Sequence, residues 1–335
     1  MGVGGDMSRD GKAAEAQRTG YPGDRSKQRI AVLLPCLNEA AAIGHVVEEF
    51  RNALPDADIF VYDNASTDDT AAVAAKAGAI VRNEPARGKG YVVRRMFADI
   101  DADIYLMADG DGTYDAASAP RLIDAMLAGP FDMVVGIRED IGAVSRSGHA
   151  FGNRVFNRLL TGFFGRGFED IFSGYRVFSN RFAKTFPASA KGFEIETEMS
   201  VHALELQIPV CEISLPYRDR IDGGQSKLHT YKDGLRILWK MILLLKDVRP
   251  MFFFTSIAAA FFILSVGLAT PILIEFIETG LVPRFPTAIL ASAIGILGFI
   301  SLTSGVILDS VARGNRKIKR MLFLTAGSAP RSPDV

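Results

Sequence analysis

Two stretches in the last third of the chain, Met251–Ile274 and Phe285–Leu308, contain no charged side chain. A helix of about 20 apolar residues crosses the hydrocarbon core of a bilayer, and a helix apolar all round has no polar face to offer water. The two runs therefore predict a membrane hairpin over residues 250–310, with Pro271 kinking or ending the first helix. The connecting loop carries Glu275, Glu278 and Arg284, whereas Lys246 and Arg249 precede the hairpin and Arg313, Arg316, Lys317, Lys319 and Arg320 follow it. Positive charge favours the cytoplasmic side. Both chain ends are therefore expected in the cytoplasm, with residues 311–335 as a basic tail. Ala291, Gly295, Ser301 and Gly305 place small residues along the second helix. Such residues allow close helix packing, either inside the hairpin or between copies in a homo-oligomer.

Just before the hairpin, residues 230–249 alternate Leu235, Leu238, Trp239, Ile242 and Leu245 with Lys232, Arg236, Lys240 and Lys246. This pattern predicts an amphipathic helix lying in the membrane interface. Residues 1–28 are rich in Gly, Asp, Arg and Lys and contain no apolar run of the kind a secretory signal needs. They are expected to be a disordered tail. That leaves residues 29–229 as a soluble domain on the cytoplasmic side of an integral membrane protein.

Within that domain short apolar runs alternate with helical patterns. Ile30–Leu34, Ile59–Tyr62, Ile80–Val81, Ile104–Met107 and Asp132–Val135 read as strands, and 40–54, 70–77, 90–100 and 120–127 read as helices between them. Alternation of this kind predicts an α/β, Rossmann-like, mostly parallel sheet with helices on both faces. Further helices are expected near 152–160 and 195–206, and a strand near 210–215. In such sheets ligands bind beyond the carboxyl ends of the strands, and the polar clusters fall at those ends.

The 38 basic and 38 acidic residues cancel, which gives no electrostatic footprint for nucleic acid. Cys36 and Cys211 are the two cysteines, too few for a disulfide framework or a four-cysteine zinc site. Asp109 and Asp111 stand one residue apart after a strand, so their carboxylates can share a divalent cation such as Mg²⁺ or Mn²⁺, which takes oxygen ligands and bridges to phosphate. Asp63, Asn64 and Ser66 follow another strand. A carboxylate there can accept hydrogen bonds from a base or ribose, and Ser66 or Thr67 is also placed to cap the next helix. Arg87-Gly-Lys89-Gly90 is a basic turn opening a helix, suited to phosphate. It lacks the spacing of a P-loop, and no Gly-x-Gly-x-x-Gly follows the first strand, which argues against a nicotinamide oxidoreductase.

Taken in order, Pro35-Cys-Leu-Asn38-Glu39, Asp63-Asn64-Ala-Ser66-Thr-Asp68, Arg87-Gly-Lys89-Gly90 and Asp109-Gly110-Asp111 resemble the family 2 glycosyltransferases with the GT-A fold. Glu169-Asp170-Ile-Phe-Ser173-Gly174-Tyr175-Arg176, Gly192-Phe-Glu-Ile-Glu196-Thr-Glu198 and Tyr217-Arg-Asp-Arg220 through Ser226-Lys227 narrow the resemblance. They are similar to the polyprenyl-phosphate sugar synthases, a group that includes the dolichol-phosphate mannose and glucose synthases and their bacterial undecaprenyl-phosphate relatives. The resemblance covers about residues 30–227.

It implies transfer of a sugar, with inversion, from a UDP- or GDP-sugar to a polyprenyl phosphate. Pro35, Asn38, Glu39, Asp63, Asn64, Ser66, Lys89, Asp109, Gly110 and Asp111 would form the nucleotide-sugar site, with Asp109 and Asp111 on the metal. Arg138, Arg146, Ser173, Arg176, Arg220, Ser226 and Lys227 would meet the acceptor phosphate or lipid. Candidate catalytic residues are Asp111, Arg138, Asp170 and Glu196. Because a lipid phosphate is largely ionised at neutral pH, Asp170 and Glu196 would be weak assistants, or simply partners of nearby arginines. Many relatives carry Gln where this chain has Thr113; the glucose-type branches resemble this version more.

Two other readings are a family 2 enzyme acting on a lipid hydroxyl or polysaccharide, and a non-enzymatic nucleotide-sugar-binding membrane protein. The Gln-x-x-Arg-Trp segment shared by processive synthases does not occur. Two charge-free spans do not suit a transporter.

Overall fold

The computed structural model describes residues 28–139, 158, 161–162, 167–218 and 230–327. The expected helix over 152–160 lies outside them apart from Arg158, as does nearly all of the N-terminal tail. Arg146, Arg220, Ser226 and Lys227 lie outside them too.

The chain divides into two compact units, residues 1–238 with 321–335, and residues 239–320. The first is built on one sheet. Its elements are β1 (Ile30–Cys36), α1 (Ala40–Ala53), β2 (Asp58–Asp63), α2 (Thr70–Lys76), β3 (Ile80–Asn83), α3 (Lys89–Asp99), β4 (Ile104–Met107), α4 (Ala119–Ala128), β5 (Met133–Glu139), β6 (Arg176–Ser179), α5 (Asn180–Thr185), α6 (Ile195–Leu206) and β7 (Val210–Pro216). The strand order is β3-β2-β1-β4-β6-β5-β7. The β2, β1 and β4 strands run parallel as neighbours, with Ala31 opposite both Asp58 and Tyr105.

β1 can sit at the centre because Ala31, Val32, Leu33 and Leu34 are all buried; a strand covered on both faces needs apolar residues on both. Helix α1 turns Ile43, Val46, Val47 and Phe50 onto the sheet, the face its spacing predicts. The two remaining elements were not legible. β6 is antiparallel to both β4 and β5. It is only four residues long and opens with Arg176, a residue type that reads as solvent-facing. α5 starts directly after it, with the Ser179 hydroxyl accepting from the Phe182 amide.

The cap expected at α2 is built otherwise. Neither Ser66 nor Thr67 caps it. The Asp68 carboxylate accepts from the Thr70 amide and from the Ala40 amide, each at 3.1 Å, tying α1 to α2.

The second unit contains the end of α7 (Thr230–Val248), then α8 (Pro250–Thr279) and most of α9 (Phe285–Thr325). Helix α8 and the apolar part of α9 are each long and apolar enough to cross a membrane, and only 11% and 17% of their most apolar segments is buried. A core helix of a soluble protein would be mostly covered. Pro271 does not end α8, which continues to Thr279, and the basic stretch after Leu308 remains helical to Thr325. The small residues of α9 are used inside the hairpin. Ala291 and Ser301 are buried, the Ser265 hydroxyl donates to the Ala291 carbonyl at 2.7 Å, and the Ser301 hydroxyl donates to the Phe254 carbonyl at 3.1 Å. That face is taken by α8 and gives no support for an oligomer.

Candidate active site

Because β2, β1 and β4 are parallel neighbours, their carboxyl ends bring Asp63, the Pro35–Glu39 segment and Asp109–Asp111 to one edge of the sheet. The turn after β1 reverses at Asn38, whose φ is +53°; asparagine tolerates this left-handed region better than most residues. Its side-chain oxygen accepts from the Thr67 amide at 2.7 Å, and its own amide donates to the Ser66 hydroxyl at 2.9 Å. The Glu39 amide donates to Thr70 Oγ1 at 2.8 Å. Asn38, Glu39 and Ser66 therefore stitch the ends of β1 and β2 together.

Asp63 is buried. One oxygen accepts from the Ser66 amide at 3.2 Å, while Oδ1 is enclosed without a hydrogen-bond partner. A buried carboxylate oxygen of that kind is costly unless something completes it, and a base or ribose donor is of the right chemistry. Asn64 is committed elsewhere. Its amide group donates to the Glu84 and Ala86 carbonyls, and its oxygen accepts from the Gly88 amide at 2.7 Å. It shapes the turn that delivers Lys89 to the first position of α3.

Lys89 reaches across to Asp109 and Glu196. Its ammonium pairs with Asp109 Oδ1 and lies 2.6 Å from Glu196 Oε1. Burial works against the ammonium's charge, but the two carboxylates more than offset it, so its pKa is raised. Glu196 is driven the other way from an ordinary paired carboxylate. Burial raises its pKa and Asp109 adds to the rise, because one lysine serves two acids. The partner of Glu196 is thus a lysine rather than an arginine.

Close packing fixes this corner. At Gly110 any side chain would start 2.3 Å from Cys36 Sγ. At Gly174 it would start 2.9 Å from Asp109 Oδ2 and 3.2 Å from Lys89 Nζ. Asp111 is buried, and its Oδ1 accepts from the Thr113 hydroxyl at 2.7 Å and the Thr113 amide at 3.2 Å. Asp109 and Asp111 offer two carboxylates at a strand end to a hard cation that takes about six oxygen ligands. Among the described residues no cluster of three or more acidic, histidine or cysteine side chains could hold a metal alone. The pair fits an ion whose remaining ligands come from phosphate and water.

The second half of the site lies around β5. Arg138 and Asp170 form a two-pronged pair at 2.6 and 2.8 Å. Burial opposes both charges. The Arg138 pKa is nevertheless raised, through Tyr114 and Asp170, and Arg138 holds the Asp170 carboxyl below its ordinary value. Arg138 also stacks over the Tyr217 ring at 5.5 Å.

Arg176 is placed otherwise than expected. It is fully buried, and its guanidinium donates to the Ser173 and Ile171 carbonyls at 2.8 Å each and to the Ser200 hydroxyl at 3.0 Å. Burial lowers its pKa. The Ser173 hydroxyl donates to the Gly136 carbonyl. These two residues hold the Asp170–Gly174 loop from beneath and do not present groups to an acceptor.

Three residues with no role assigned from sequence complete the site. The Tyr114 hydroxyl accepts from the Gly174 amide at 2.8 Å, and Tyr114 bridges to Tyr217. The Arg218 amide donates to the Thr113 carbonyl at 2.9 Å, while its guanidinium pairs with Glu49 and Asp115. Tyr114, Tyr217 and Arg218 stand inside or beside motifs that are visible in the sequence, but only the isolated bridge shows that they join them.

The sequence profile of Glycosyl transferase family 2 matches residues 31–186. The chain is 33% identical to Glycosyltransferase AglJ of Haloferax volcanii over 292 residues, 86% of this chain and 95% of that one. It is 27% identical to the Dolichyl-phosphate hexose transferase of the same organism over 210 residues, covering 62% of this chain and 90% of that one. The fold also resembles that of glucosyl-3-phosphoglycerate synthase from Mycobacterium tuberculosis, crystallised with Mn²⁺, UDP and glucosyl-3-phosphoglycerate. The TM-score is 0.57 at 20% identity, over 68% of this chain and 85% of that one. With a GT-A-like sheet carrying acidic clusters at its strand ends, and a relative matched along nearly its whole length, this chain belongs to glycosyl transferase family 2.

Proposed function

We propose that this glycosyltransferase is metal-dependent and moves a sugar, with inversion, from a UDP- or GDP-sugar to a polyprenyl phosphate, undecaprenyl or dolichyl, at the cytoplasmic face of a membrane. The observation that carries the reading is the division of the site into two charged halves. Asp63, Asp109, Asp111 and Lys89 lie at the ends of β2, β4 and the start of α3, as a nucleoside diphosphate requires. Arg138 stands near Tyr114 and over the Tyr217 ring, and would supply the cation that an acceptor phosphate needs.

In this reading Asp63 receives the nucleoside through its uncompleted oxygen, and Pro35, Asn38 and Glu39 wall that pocket. Asp109 and Asp111 would hold Mg²⁺ or Mn²⁺, which supplies electrostatic stabilisation to the departing diphosphate. Lys89 adds a second positive charge on the same side. Arg138, whose Nε and Nη2 are held by Asp170, would meet the phosphate with its remaining guanidinium N–H groups. Arg146, Arg220, Ser226 and Lys227 are further candidates for the acceptor phosphate. An ionised phosphate oxygen is already a nucleophile, so the chemistry does not rely on Asp170 or Glu196 as a base; each is already engaged by a cation. The apolar hairpin and the basic residues that flank it favour a membrane-embedded acceptor, and a relative named as a dolichyl-phosphate hexose transferase supports one.

The test uses purified protein in detergent with undecaprenyl phosphate, Mg²⁺ or Mn²⁺, and a panel of UDP- and GDP-sugars, with Asp111→Ala as control. Mass spectrometry should find a lipid-phosphate-sugar from one donor, lost in the variant. Product only with a lipid hydroxyl or glycan acceptor would overturn the phosphate reading.

A further inference from the structure

Lys89 occupies a carboxylate that the proposed function assigns to a metal ion. Its side chain is 8% exposed, and its ammonium is shared between Asp109 and Glu196. The two acids are unequal. Glu196 is 4% exposed at the side chain, with Oε2 enclosed and unpartnered, whereas Asp109 is 32% exposed. The backbone around Lys89 is pinned, since the Gly88 amide donates to Asn64 and the Gly90 amide donates to the Lys191 carbonyl. The flexible lysine stem is the part that can move.

We propose that Asp109 exchanges one cation for another. Lys89 neutralises it until the metal–nucleotide complex arrives. Asp109 then turns to the metal, and Lys89, still anchored by Glu196, turns to the diphosphate. The proposal rests on the reading of Asp109 as a metal ligand. The physical reason is crowding of charge. A divalent ion on Asp109 beside an ammonium paired to the same carboxylate brings two cations together in a buried corner. A diphosphate supplies oxygens for both. Metal without nucleotide should therefore bind weakly, and Glu196 acts as a positioning residue for Lys89.

Full-length protein in detergent is titrated with Mn²⁺ alone, then with Mn²⁺ and UDP or GDP, and free Mn²⁺ is read by electron paramagnetic resonance. Wild type should hold Mn²⁺ poorly alone and tightly with nucleotide. Lys89→Met should bind Mn²⁺ alone about tenfold more tightly and gain far less from nucleotide; tenfold corresponds to ~1.4 kcal/mol. A lysine that only masks Asp109 would also raise Mn²⁺ affinity when removed, but would leave the enhancement by nucleotide intact; an undiminished enhancement in Lys89→Met overturns the exchange. Because Lys89→Met strands the Glu196 charge, the Lys89→Met/Glu196→Gln pair provides a second variant that is neutral at both positions. Equal binding of Mn²⁺ alone by wild type and both variants overturns the exchange. If wild type holds no Mn²⁺ even with UDP and GDP, the metal reading itself fails and the exchange falls with it.

Discussion

The Thr113 hydroxyl donates to Oδ1 of Asp111 over 2.7 Å, and the Thr113 carbonyl accepts from the Arg218 amide at 2.9 Å. One residue thus holds the second carboxylate of the Asp109–Asp111 pair and also fastens the segment that follows β7. The position where many relatives have Gln is therefore not idle here.

Removing that hydroxyl should loosen Asp111 without emptying the site. Groups that orient a metal ligand typically contribute 10–100-fold to affinity. Thr113→Val should weaken Mn²⁺ binding in the presence of nucleotide by about tenfold, while Thr113→Ser keeps most of it. Calorimetric titration separates the two, and equal affinities in the two variants would sink the idea.

A side chain at Gly174 should disturb the site more than the fold. A Cβ there would lie 2.9 Å from Asp109 Oδ2 and 3.2 Å from Lys89 Nζ, the far ends of flexible side chains, so the fold gives way cheaply while the two charged groups are displaced. Because the crowded atoms belong to the site, Gly174→Ala should lower donor affinity and turnover about tenfold or more while the melting temperature falls only a few degrees. A large melting shift with unchanged kinetics per folded molecule would contradict it.

The Arg138–Asp170 pair has a definite pH signature. Arg138 depresses the Asp170 pKa in the folded protein, so the stability it contributes is present above the ordinary aspartate value of ~3.9. That stability is lost as pH falls through the lower folded value. Asp170→Asn should be less stable at pH 7 and show a flatter decline in acid than wild type. Arg138→Ala, which takes the two-pronged arginine from the buried Asp170 carboxylate, should cost about 3–5 kcal/mol at pH 7. Denaturation midpoints measured from pH 7 down to about 3 would reveal both effects.

The hairpin makes a separate prediction. A Cβ on Gly305 would meet the Phe254 Cβ at 3.0 Å, so Gly305→Leu should separate α8 from α9 locally. In detergent, a fluorophore pair across the two helices should report a longer distance. An unchanged distance would mean that the small-residue face is not what sets their approach.

Much of the fold follows from local pattern. The buried run of β1, the period of α1 and the charge-free spans each repeat a signal often enough to outweigh chance, and the placement of polar clusters after strands needed only the parallel rule. β6 was hidden because four residues opening with an arginine resemble a functional loop. Only burial shows that Arg176 spends its guanidinium on the Ser173 and Ile171 carbonyls.

The sequence by itself determined which residue types stand at the strand ends and at the start of α3, Asp63, Asp109, Asp111 and Arg138 with Lys89, and that two long apolar runs follow them in the chain. The tertiary structure alone decided their pairing. Lys89 and Glu196 are far apart in the chain, as are Thr113 and Arg218; the first pair meets where the starts of α3 and α6 converge, the second where the segment after β7 bridges to the turn after β4. Hydrophobic periodicity is written locally and can be read locally. An ion pair between two helix starts is a property of distance in space, which no spacing along the chain encodes.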